Sequence, residues 1–406
     1  MLAVVFWNGS VITDRGVIAD GMVTAREGRL EYVGPRRDEW MPPDAERVDA
    51  GGLYISPGFV DIHVHGGGGS DFMDATVADV ETVLAYHAAH GTTALCPTTA
   101  SAPLAEILAA LDAVARYRRG EQRCGRALGA HIEGPYLNFS KRGCHLPDEV
   151  RAPEEGEWRQ ILERGPVASL TLAPELPGAR PLIEELRRRG AVASAGHSEA
   201  LYHEMEEAVG WGVRHVTHLY CAMTDAMNNR WRGTPHPRSA GILEAVFLDE
   251  RLTSELISDG RHLSREMLRL AFRHKGYQGL AIVTDAMRGA GLPDGDYTFG
   301  PRHGMPVVVR HGEARIPDGT ALASSVCPMN EMVRLFRDLA GCPLWQAVHM
   351  AALTPATIVG REHEIGSLAP GKRADVALFD EQVQVRAVYL EGRSTPLGGG
   401  PGKGIL

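Results

Sequence analysis

The sequence predicts an α/β protein, a (β/α)8 TIM barrel with a small β-sandwich domain formed by both termini of the 406-residue chain. Two observations predict the barrel. Between the termini, short β-rich runs alternate with helical segments, which implies a parallel sheet. Eight such runs fall within about 300 residues, a typical length for a closed eight-stranded barrel. A third observation predicts the small domain, because both ends of the chain contain β-rich runs separated by glycine-containing turns.

The predicted small domain takes its strands from residues 1–56 and 363–406. Its first part contains runs such as "LAVVFWNGSVIT" and "GMVTAREGRLEYVG", interrupted by Asn-Gly, Glu-Gly and Gly-Gly pairs that favour hairpin turns. Its second part contains "GSLAPGKRADVALFD" and "VQVRAVYLEGR". Because either set of strands alone would be marginally stable, we expect the two sets to join into one domain.

The predicted barrel spans residues 57–362, and helical segments follow its β-rich runs. The segment "TVADVETVLAYHAAHG" places Val77, Val80, Leu84 and His87 at helical spacing and ends on glycine, a common C-terminal cap. A second helix is predicted over "APLAEILAALDAVARYRRG". The eight β-rich runs are, in order, FVDIHVH, TTALCPTT, LGAHIEG, SLTLAPE, VASAGH, RHVTHL, SELISDG and LAIVTDA.

Polar residues mark the carboxyl ends of these eight runs. Catalytic groups of such barrels stand at that end of the strands. Seven of the eight runs have His, Asp or Glu as the last or next-to-last residue, whereas surface turns would offer Gly, Asn, Ser or Lys as often. The end residues are His63 and His65, Thr98 and Thr99, Glu133, Glu175, His197, His218, Asp259 and Asp285. The pattern therefore predicts a cluster of chemically active side chains at one mouth of the barrel.

The first run contains an H-x-H pair followed by four glycines, "DIHVHGGGG". Residues i and i+2 of a strand point to the same face, so His63 and His65 can bind one ion side by side. The glycines have no side chains and let a large group approach the backbone. In a chain with 17 histidines such a pair is a weak signal by itself. The other strand ends give it weight.

The residues at the strand ends are typical ligands of a divalent metal. Neutral imidazole and carboxylate oxygen suit zinc and iron alike. We predict one or two ions per chain, with Glu133 as a shared ligand, the H-x-H pair on one ion, and His197 and His218 on the other. Such a cation brings the pKa of water near 7. Asp285, also at the metal, would take up the proton of that water and pass it to a departing nitrogen. The predicted reaction is metal-assisted hydrolysis of an amide-like bond.

Three other polar residues of the barrel have structural interpretations. His215 lies three residues from His218, so the two face opposite ways on one strand. His131 lies one layer deeper in the barrel than Glu133, where a hydrogen-bonded core histidine is expected rather than a ligand. Glu175 is either a support for the site or a bystander.

Composition and charge argue against several classes of function. The chain is 44% hydrophobic and 23% charged, as expected of a soluble globular protein. Its net charge of −9 and its lack of a basic stripe argue against nucleic-acid binding. The six cysteines form no C-x-x-C pair, which fits a reducing cytoplasm. We expect neither an export signal at the amino terminus nor a membrane span.

A series of short motifs runs in order from about residue 50 to 380. The motifs are "PGFVDIHVHGGGG", "HIEGPYLNFSKRGCH", "TLAPE", "AGHS", "THLYCAM", "ISDGRHL", "VTDAM", "LTPATIVG" and "GSLAPGKRADVALFD". The first and last contain elements that many amidohydrolases share. The combination of "HIEGP", "TLAPE" and "AGHS" is narrower, and it resembles the N-acetylglucosamine-6-phosphate deacetylase family of the amidohydrolase superfamily.

The resemblance implies a barrel of the metal-dependent hydrolase type and roles for its residues. Residues matching Glu133, His197 and His218 hold the principal metal, usually zinc or iron, and members with H-x-H can hold a second ion. The aspartate of "VTDAM" is the acid/base. Histidines matching His145 and His262 contact the sugar, and one of them polarises the acetyl carbonyl in place of backbone amides. The family also implies a homodimer.

The chain departs from the family at the expected phosphate site. The family reads "H-L-Y/F-N-A-M", and its asparagine helps to hold the 6-phosphate, whereas this chain has Cys221 followed by Ala222. A thiol is a poor donor to an anion. The next segment is longer than usual and contains three arginines that suit a phosphate across the dimer. These candidates are Arg230, Arg232 and Arg238.

Three hypotheses for function follow. The first is a deacetylase of N-acetylated amino sugars, with N-acetylglucosamine 6-phosphate as the favoured substrate and acetate and glucosamine 6-phosphate as products. The second is an amidohydrolase acting on another N-acyl sugar, an N-acyl amino acid or a cyclic amide, with an altered phosphate site. The third is a barrel that has lost catalysis and serves as a binding module, which the retained ligand set disfavours. The sequence does not separate glucosamine from galactosamine.

Overall fold

The computed structural model describes residues 3–226 and 239–395 of the chain. Its strands are β1 (Ala3–Thr13), β2 (Gly16–Arg26), β3 (Arg29–Pro35), β4 (Glu46–Asp49), β5 (Tyr54–Pro57), β6 (Phe59–Val64), β7 (Gly66–Gly67), β8 (Ser70–Asp71), β9 (Thr92–Pro97), β10 (Arg126–Ala127), β11 (Ala130–Glu133), β12 (Val167–Leu172), β13 (Val192–Ala195), β14 (His215–Val216), β15 (Thr253–Ile257), β16 (Leu280–Val283), β17 (Gly295–Phe299), β18 (Met305–Arg310), β19 (Glu313–Arg315), β20 (Val376–Phe379), β21 (Val385–Leu390) and β22 (Arg393–Ser394).

The helices of the described residues follow the same chain order. They are α1 (Val77–Ala89), α2 (Leu104–Arg119), α3 (Glu155–Arg164), α4 (Ala179–Arg189), α5 (Tyr202–Trp211), α6 (Ile242–Leu248), α7 (Arg265–Gly279), α8 (Met329–Phe336), α9 (Leu344–Ala351) and α10 (Leu353–Ile358). None of these helices combines the length and the apolar character that a bilayer-crossing segment needs.

Eight parallel strands form the barrel, one from each β-rich run of the sequence. They are β6, β9, β11, β12, β13, β14, β15 and β16. Two junctions join the paired groups into a ring. Thr99 N–H donates to His131 O at 3.0 Å between β9 and β11, and Asp285 N–H donates to His63 O at 2.9 Å between β16 and β6. The predicted (β/α)8 barrel is confirmed.

Burial on both faces explains the apolar character of the barrel strands. All residues of β6 and β9 are buried, because one face meets the barrel interior and the other meets the surrounding helices. The first of these helices, α1, begins where Thr76 Oγ1 accepts the N–H of Asp79 at 3.1 Å. Val80 of α1 is buried as predicted, whereas Val77 in its first turn is exposed.

The small domain is a sheet built from both ends of the chain. Its strand order is β22-β21-β20-β5-β1-β2-β3, and β4 pairs with β1. The sheet curls so that Leu30 N–H donates to Lys372 O at 2.8 Å, which brings the start of β3 against the chain before β20. The rings of Phe6 and Tyr389 pack 4.8 Å apart in the shared core of this domain. A β domain formed by both termini is thereby confirmed, while the division at residues 57 and 362 stays a prediction.

Two smaller sheets lie beside the barrel mouth. β7 and β8 form a hairpin from the glycine run, and β17, β18 and β19 form an antiparallel sheet that the sequence patterns did not predict. A methyl group on Gly66 would lie 2.4 Å from Ser70 O, and one on Gly67 would lie 2.5 Å from a Tyr86 ring carbon. The groups that the missing side chains allow to come close to Gly66 and Gly67 are therefore other parts of the protein, Ser70 and Tyr86.

Candidate active site

The predicted metal and acid/base residues lie together at the carboxyl ends of the barrel strands. His63 is in β6 and Glu133 ends β11, while the others follow their strands by one or two residues. All are buried within the described structure: His63, His65, Glu133, His197, His218 and Asp285. The convergence that the strand ends predicted is therefore present.

Three of these residues have left-handed backbone conformations. The φ angles are 48° at His197, 26° at His218 and 46° at Asp285. A side chain other than glycine at such a φ costs on the order of 1–3 kcal/mol, and such positions concentrate at functional sites. Each of these residues bends the backbone sharply just after its strand. Its side chain therefore turns toward the barrel axis and does not follow the in-and-out alternation of the strand.

Glu133 lies at the centre of the cluster. Its Oε1 lies 3.3 Å from both His197 Nε2 and His218 Nε2, and 3.4 Å from His63 Nε2. Its Oε2 lies 3.1 Å from His65 Nε2. Two groups of potential ligands therefore share Glu133. One contains His63 and His65, and the other contains His197 and His218. Within each group the potential ligand atoms lie within 4.8 Å of one another.

Asp285 lies beside both members of the H-x-H pair. Its Oδ1 lies 3.3 Å from His65 Nε2 and 3.5 Å from His63 Nε2, and it accepts the Ser324 hydroxyl at 3.1 Å. Burial alone would raise the pKa of this carboxyl, but the neighbouring imidazoles of His63 and His65 lower it to about 2. The cluster therefore favours the ionised carboxylate of Asp285.

Hydrogen bonds on the outer side of two histidines set their tautomers. His63 Nδ1–H donates to Glu255 Oε2 at 2.9 Å, and His197 Nδ1–H donates to Lys141 O at 2.7 Å. A neutral imidazole carries one N–H, so each ring, once neutral as a metal ligand must be, would offer the lone pair of its inward Nε2. That is the arrangement found for metal-bound histidine.

The inner atoms also fit a cation. His197 Nε2 lies 3.0 Å from His218 Nε2, and His63 Nε2 lies 3.3 Å from His65 Nε2. Such close pairs of ring nitrogens are stable only with a proton or a cation between them. Glu133 Oε1 is buried and has no hydrogen-bond partner among the described residues, and an unpaired buried carboxylate oxygen is costly. The residues present therefore fit one or two divalent cations.

His145 differs from His63 and His197 in its tautomer. Its Nδ1 accepts the backbone N–H of Ser101 at 3.1 Å, so the proton of the neutral ring is on Nε2, which lies 3.2 Å from Glu133 Oε2. Burial lowers the pKa of His145 to about 4, which keeps the ring neutral. His145 is therefore a hydrogen-bond donor in the site and not a metal ligand.

His262 lies on the loop after β15 and is oriented by Asp259. Its Nδ1–H donates to Asp259 Oδ2 at 2.8 Å, and its backbone N–H donates to Asp259 Oδ1 at 2.9 Å. Burial would raise the pKa of Asp259, but these bonds from His262 lower it below its usual value. The Nε2 of His262 has no hydrogen-bond partner within 3–226 and 239–395, so it can serve a bound molecule.

The predicted phosphate-site residues are only partly described. Cys221 lies close to His218, because its backbone N–H donates to His218 O at 2.9 Å. Burial raises the pKa of its thiol to about 12, and the carboxylates of Asp285 and Asp259 add to that rise. Ala222 is adjacent, with a φ of 50°. The three candidate arginines lie outside the described residues: Arg230, Arg232 and Arg238.

The structural interpretations of other barrel residues agree with their contacts. His131 Nε2 lies 2.7 Å from Thr171 Oγ1 in the barrel interior and is not among the potential ligand groups. Glu175 accepts the Ser198 hydroxyl at 2.6 Å and the Asn138 side-chain amide at 2.9 Å. Glu175 thus braces the loop that follows His197, and it is a support rather than a bystander.

Two residues that contact the site were missed by the sequence reasoning. Glu255 is the one charged residue of the largely buried strand "TSELI", and that isolated charge was the available signal. Phe299, at the end of β17, packs with ring centroids 4.7 Å from His65 and 5.5 Å from His145. No sequence pattern pointed to Phe299, because its role depends on where the sheet of β17, β18 and β19 lies.

Comparison with known proteins first gives the class of protein. The sequence model of the amidohydrolase family matches residues 54–395, which include the whole barrel. The barrel and its buried His/Glu cluster agree with that match. The protein is therefore an amidohydrolase, a hydrolase that acts on carbon–nitrogen bonds.

More similar proteins define the family within that class. The chain is 33% identical to an N-acetylgalactosamine-6-phosphate deacetylase of Escherichia coli O157:H7, over 94% of this chain and 97% of that protein. It is 34% identical to the N-acetylglucosamine-6-phosphate deacetylase of Homo sapiens, over 86% of this chain and 84% of that one. The chain belongs to the N-acetylglucosamine-6-phosphate deacetylase family of amidohydrolases.

A solved structure agrees with that assignment. It is a mutant N-acetyl-D-glucosamine-6-phosphate deacetylase from Mycobacterium smegmatis in complex with N-acetyl-D-glucosamine-6-phosphate. The two chains superpose with a TM-score of 0.88 at 32% identity, covering 97% of this chain and 100% of that one. The resemblance that the sequence motifs indicated is confirmed.

Proposed function

We propose that this protein hydrolyses the N-acetyl group of N-acetylglucosamine 6-phosphate to acetate and glucosamine 6-phosphate. The observation that carries the proposal is the convergence of four histidine Nε2 atoms on Glu133, with Asp285 beside them. Such a set can hold a metal and accept a proton, which amide hydrolysis requires. The substrate class comes from the relatives, which are named as deacetylases of N-acetylhexosamine 6-phosphates.

The metal would be held in two adjoining places that share Glu133. We assign the principal place to Glu133, His197 and His218, and the second to the H-x-H pair with Glu133 and the neighbouring Asp285. Zinc is the first candidate and iron the second, because imidazole and carboxylate suit both. When bound, the cation polarises the amide carbonyl and makes water acidic enough to ionise near neutral pH.

Asp285 is the proposed general base and acid. Its carboxylate takes the proton of the attacking water and then gives that proton to the nitrogen as the C–N bond breaks. The hydroxyl of Ser324, which donates to Asp285 Oδ1 at 3.1 Å, holds the carboxylate in one orientation.

His262 and His145 are the proposed contacts to the sugar and its acetyl group. His145 already donates toward Glu133 Oε2, whereas His262 Nε2 has no partner among the described residues. We therefore assign polarisation of the acetyl carbonyl to His262. With Nδ1–H held by the Asp259 carboxylate, an Nε2–H on the same ring would donate to the carbonyl oxygen.

The phosphate contacts and the exact sugar are further proposals. Cys221 and Ala222 would line the sugar, and one of the three candidate arginines in the 227–238 segment would bind the phosphate. N-acetylgalactosamine 6-phosphate is a second candidate substrate, since one of the relatives, which matches 94% of this chain, carries that name. Because Cys221 replaces the family asparagine, hydrolysis of an amide substrate that has no phosphate is a second candidate function.

A homodimer and a cytoplasmic location complete the proposal. The dimer rests on the family resemblance, in which an arginine reaches the phosphate across the subunit interface. The cytoplasm is supported by the cysteines, all six of which are free in the structure.

A comparison of acetate release across four substrates tests the function. The substrates are N-acetylglucosamine, its 6-phosphate, N-acetylgalactosamine 6-phosphate and N-acetylglycine. We expect the largest kcat/KM with N-acetylglucosamine 6-phosphate, at least tenfold above the unphosphorylated sugar, because a lost ionic contact costs about 1.5 kcal/mol or more. Equal values with and without phosphate would favour the second function, and no acetate from any sugar would refute the proposal.

A further inference from the structure

Glu255 is a buried carboxylate in the barrel interior that has no part in the chemistry proposed so far. It lies in β15 with only 2% of its surface exposed, one level below the metal-binding atoms. A carboxylate in such a place is costly unless several donors compensate its charge. Its contacts therefore indicate what the protein uses it for.

Three hydrogen bonds converge on the Glu255 carboxylate. Oε2 accepts His63 Nδ1–H at 2.9 Å and the backbone N–H of His218 at 3.2 Å. Oε1 lies 3.1 Å from His215 Nε2, whose ring is held on the other side by Thr253 Oγ1 at 2.7 Å. A chain of contacts thus runs from Thr253 through His215 and Glu255 to His63.

The four potential metal-binding histidines differ in what lies behind them. His63 rests on the Glu255 carboxylate, whereas His197 rests on the backbone carbonyl of Lys141. The outer Nδ1 atoms of His65 and His218 are buried without a hydrogen-bond partner in the described part of the chain. Of the four, His63 alone is backed by a negative charge from these residues, and a carboxylate behind an imidazole fixes its tautomer and raises its basicity as a ligand.

We infer that Glu255 is a positioning residue for the second metal place, holding His63 in the tautomer and basicity that let the H-x-H pair bind an ion. The inference rests on the proposed metal-dependent function. It predicts that loss of the Glu255 charge lowers the affinity for the ion at His63 and His65. The affinity for the ion at Glu133, His197 and His218 should stay unchanged.

Glu255→Gln is the variant that isolates this effect. Glutamine keeps the shape of the side chain and a carbonyl oxygen that can still accept from His63 Nδ1–H and from the His218 backbone, so only the charge is lost. Its amide can donate to His215 Nε2 once that ring changes tautomer. Glu157→Gln is the matched control, since Glu157 lies on α3 and pairs with Arg151 through its Oε2 at 3.1 Å, away from the site.

The test titrates metal-free full-length protein with Zn²⁺ against a chromophoric chelator, with no substrate present. We expect two classes of site in the wild type, and His65→Asn identifies the class that belongs to the H-x-H pair. Glu255→Gln should weaken that class about 10- to 100-fold and leave the other within about twofold, whereas Glu157→Gln changes neither. Glu255→Asp, which restores the charge on a shorter side chain, should recover part of the loss.

Three results would overturn the inference: one ion in the saturated wild type, unchanged affinity of both classes in Glu255→Gln, or an equal loss in both. If Glu255→Gln does not fold with the wild-type Tm, His215→Gln repeats the comparison, because it removes only the support of Oε1. The same class of site should then weaken a few-fold, and no selective weakening would again overturn the inference. Two normal ion sites without acetate release would refute the proposed function alone.

Discussion

At the scale of single residues, outer hydrogen bonds separate the histidines that can bind metal from the one that cannot. His63 and His197 donate outward from Nδ1, so their inward nitrogens carry lone pairs. His145 accepts at Nδ1 from Ser101, so its inward nitrogen carries a proton. Three histidines at similar depth thus have different chemical capacities, which sequence spacing alone does not reveal.

Asp285→Asn tests the proposed acid/base at this scale. Asparagine keeps the size and one oxygen of Asp285 but cannot accept a proton, so we expect kcat for acetate release to fall by about 10²- to 10⁴-fold. Metal content, measured by elemental analysis, should stay at the wild-type value because the five His and Glu ligands remain. Asp112→Asn, which alters a surface pair with Arg164 at 2.7 Å, is the matched control. Full activity in Asp285→Asn would refute the assigned role.

At the scale of elements, the sheet of β17, β18 and β19 is fixed to the barrel through Arg288. The guanidinium donates to Thr298 O at 2.7 Å and to Gly300 O at 2.5 Å, on either side of Phe299. It also pairs with the buried Asp74 at 3.0 Å. Arg288 therefore holds Phe299 against the rings of His65 and His145.

Arg288→Met tests this connection. The change keeps an apolar stem but removes two hydrogen bonds to backbone carbonyls and one of the two arginines at the Asp74 carboxylate, the other being Arg302 at 3.2 Å. We expect the free energy of unfolding, measured in urea, to fall by about 3 kcal/mol. The matched control is Arg310→Met in the same sheet, because Arg310 pairs with exposed Asp296 at 3.2 Å and should contribute about 1 kcal/mol or less. Equal losses in the two variants would contradict the role of Arg288.

The elements also show which parts of the fold the sequence could predict. All eight barrel strands were predicted, because strands buried on both faces leave apolar runs and the fold puts its chemistry at their carboxyl ends. The sheet of β17, β18 and β19 was missed, since its strands are short and partly exposed and follow the eighth run, outside the alternating barrel pattern. Glu255 and Phe299 were missed for a different reason: their partners come from strands far apart in the chain.

At the scale of the whole molecule, the barrel gathers charged groups that no single segment could hold. Glu133, Glu255 and Asp285 are buried together with four histidines that come from three strands, β6, β13 and β14, or from the residues directly after them. Burial of these groups is compensated by their mutual hydrogen bonds and, in the proposed mechanism, by a cation. Binding of a metal to the folded state alone also stabilises that state by mass action.

The most direct measurement of metal-dependent deacetylation is acetate release from N-acetylglucosamine 6-phosphate by protein whose metal has been removed with a chelator. We predict no release above background from the metal-free protein, and recovery when Zn²⁺ is added in steps up to two ions per chain. Undiminished release from protein that elemental analysis shows to be free of metal would contradict the proposed mechanism.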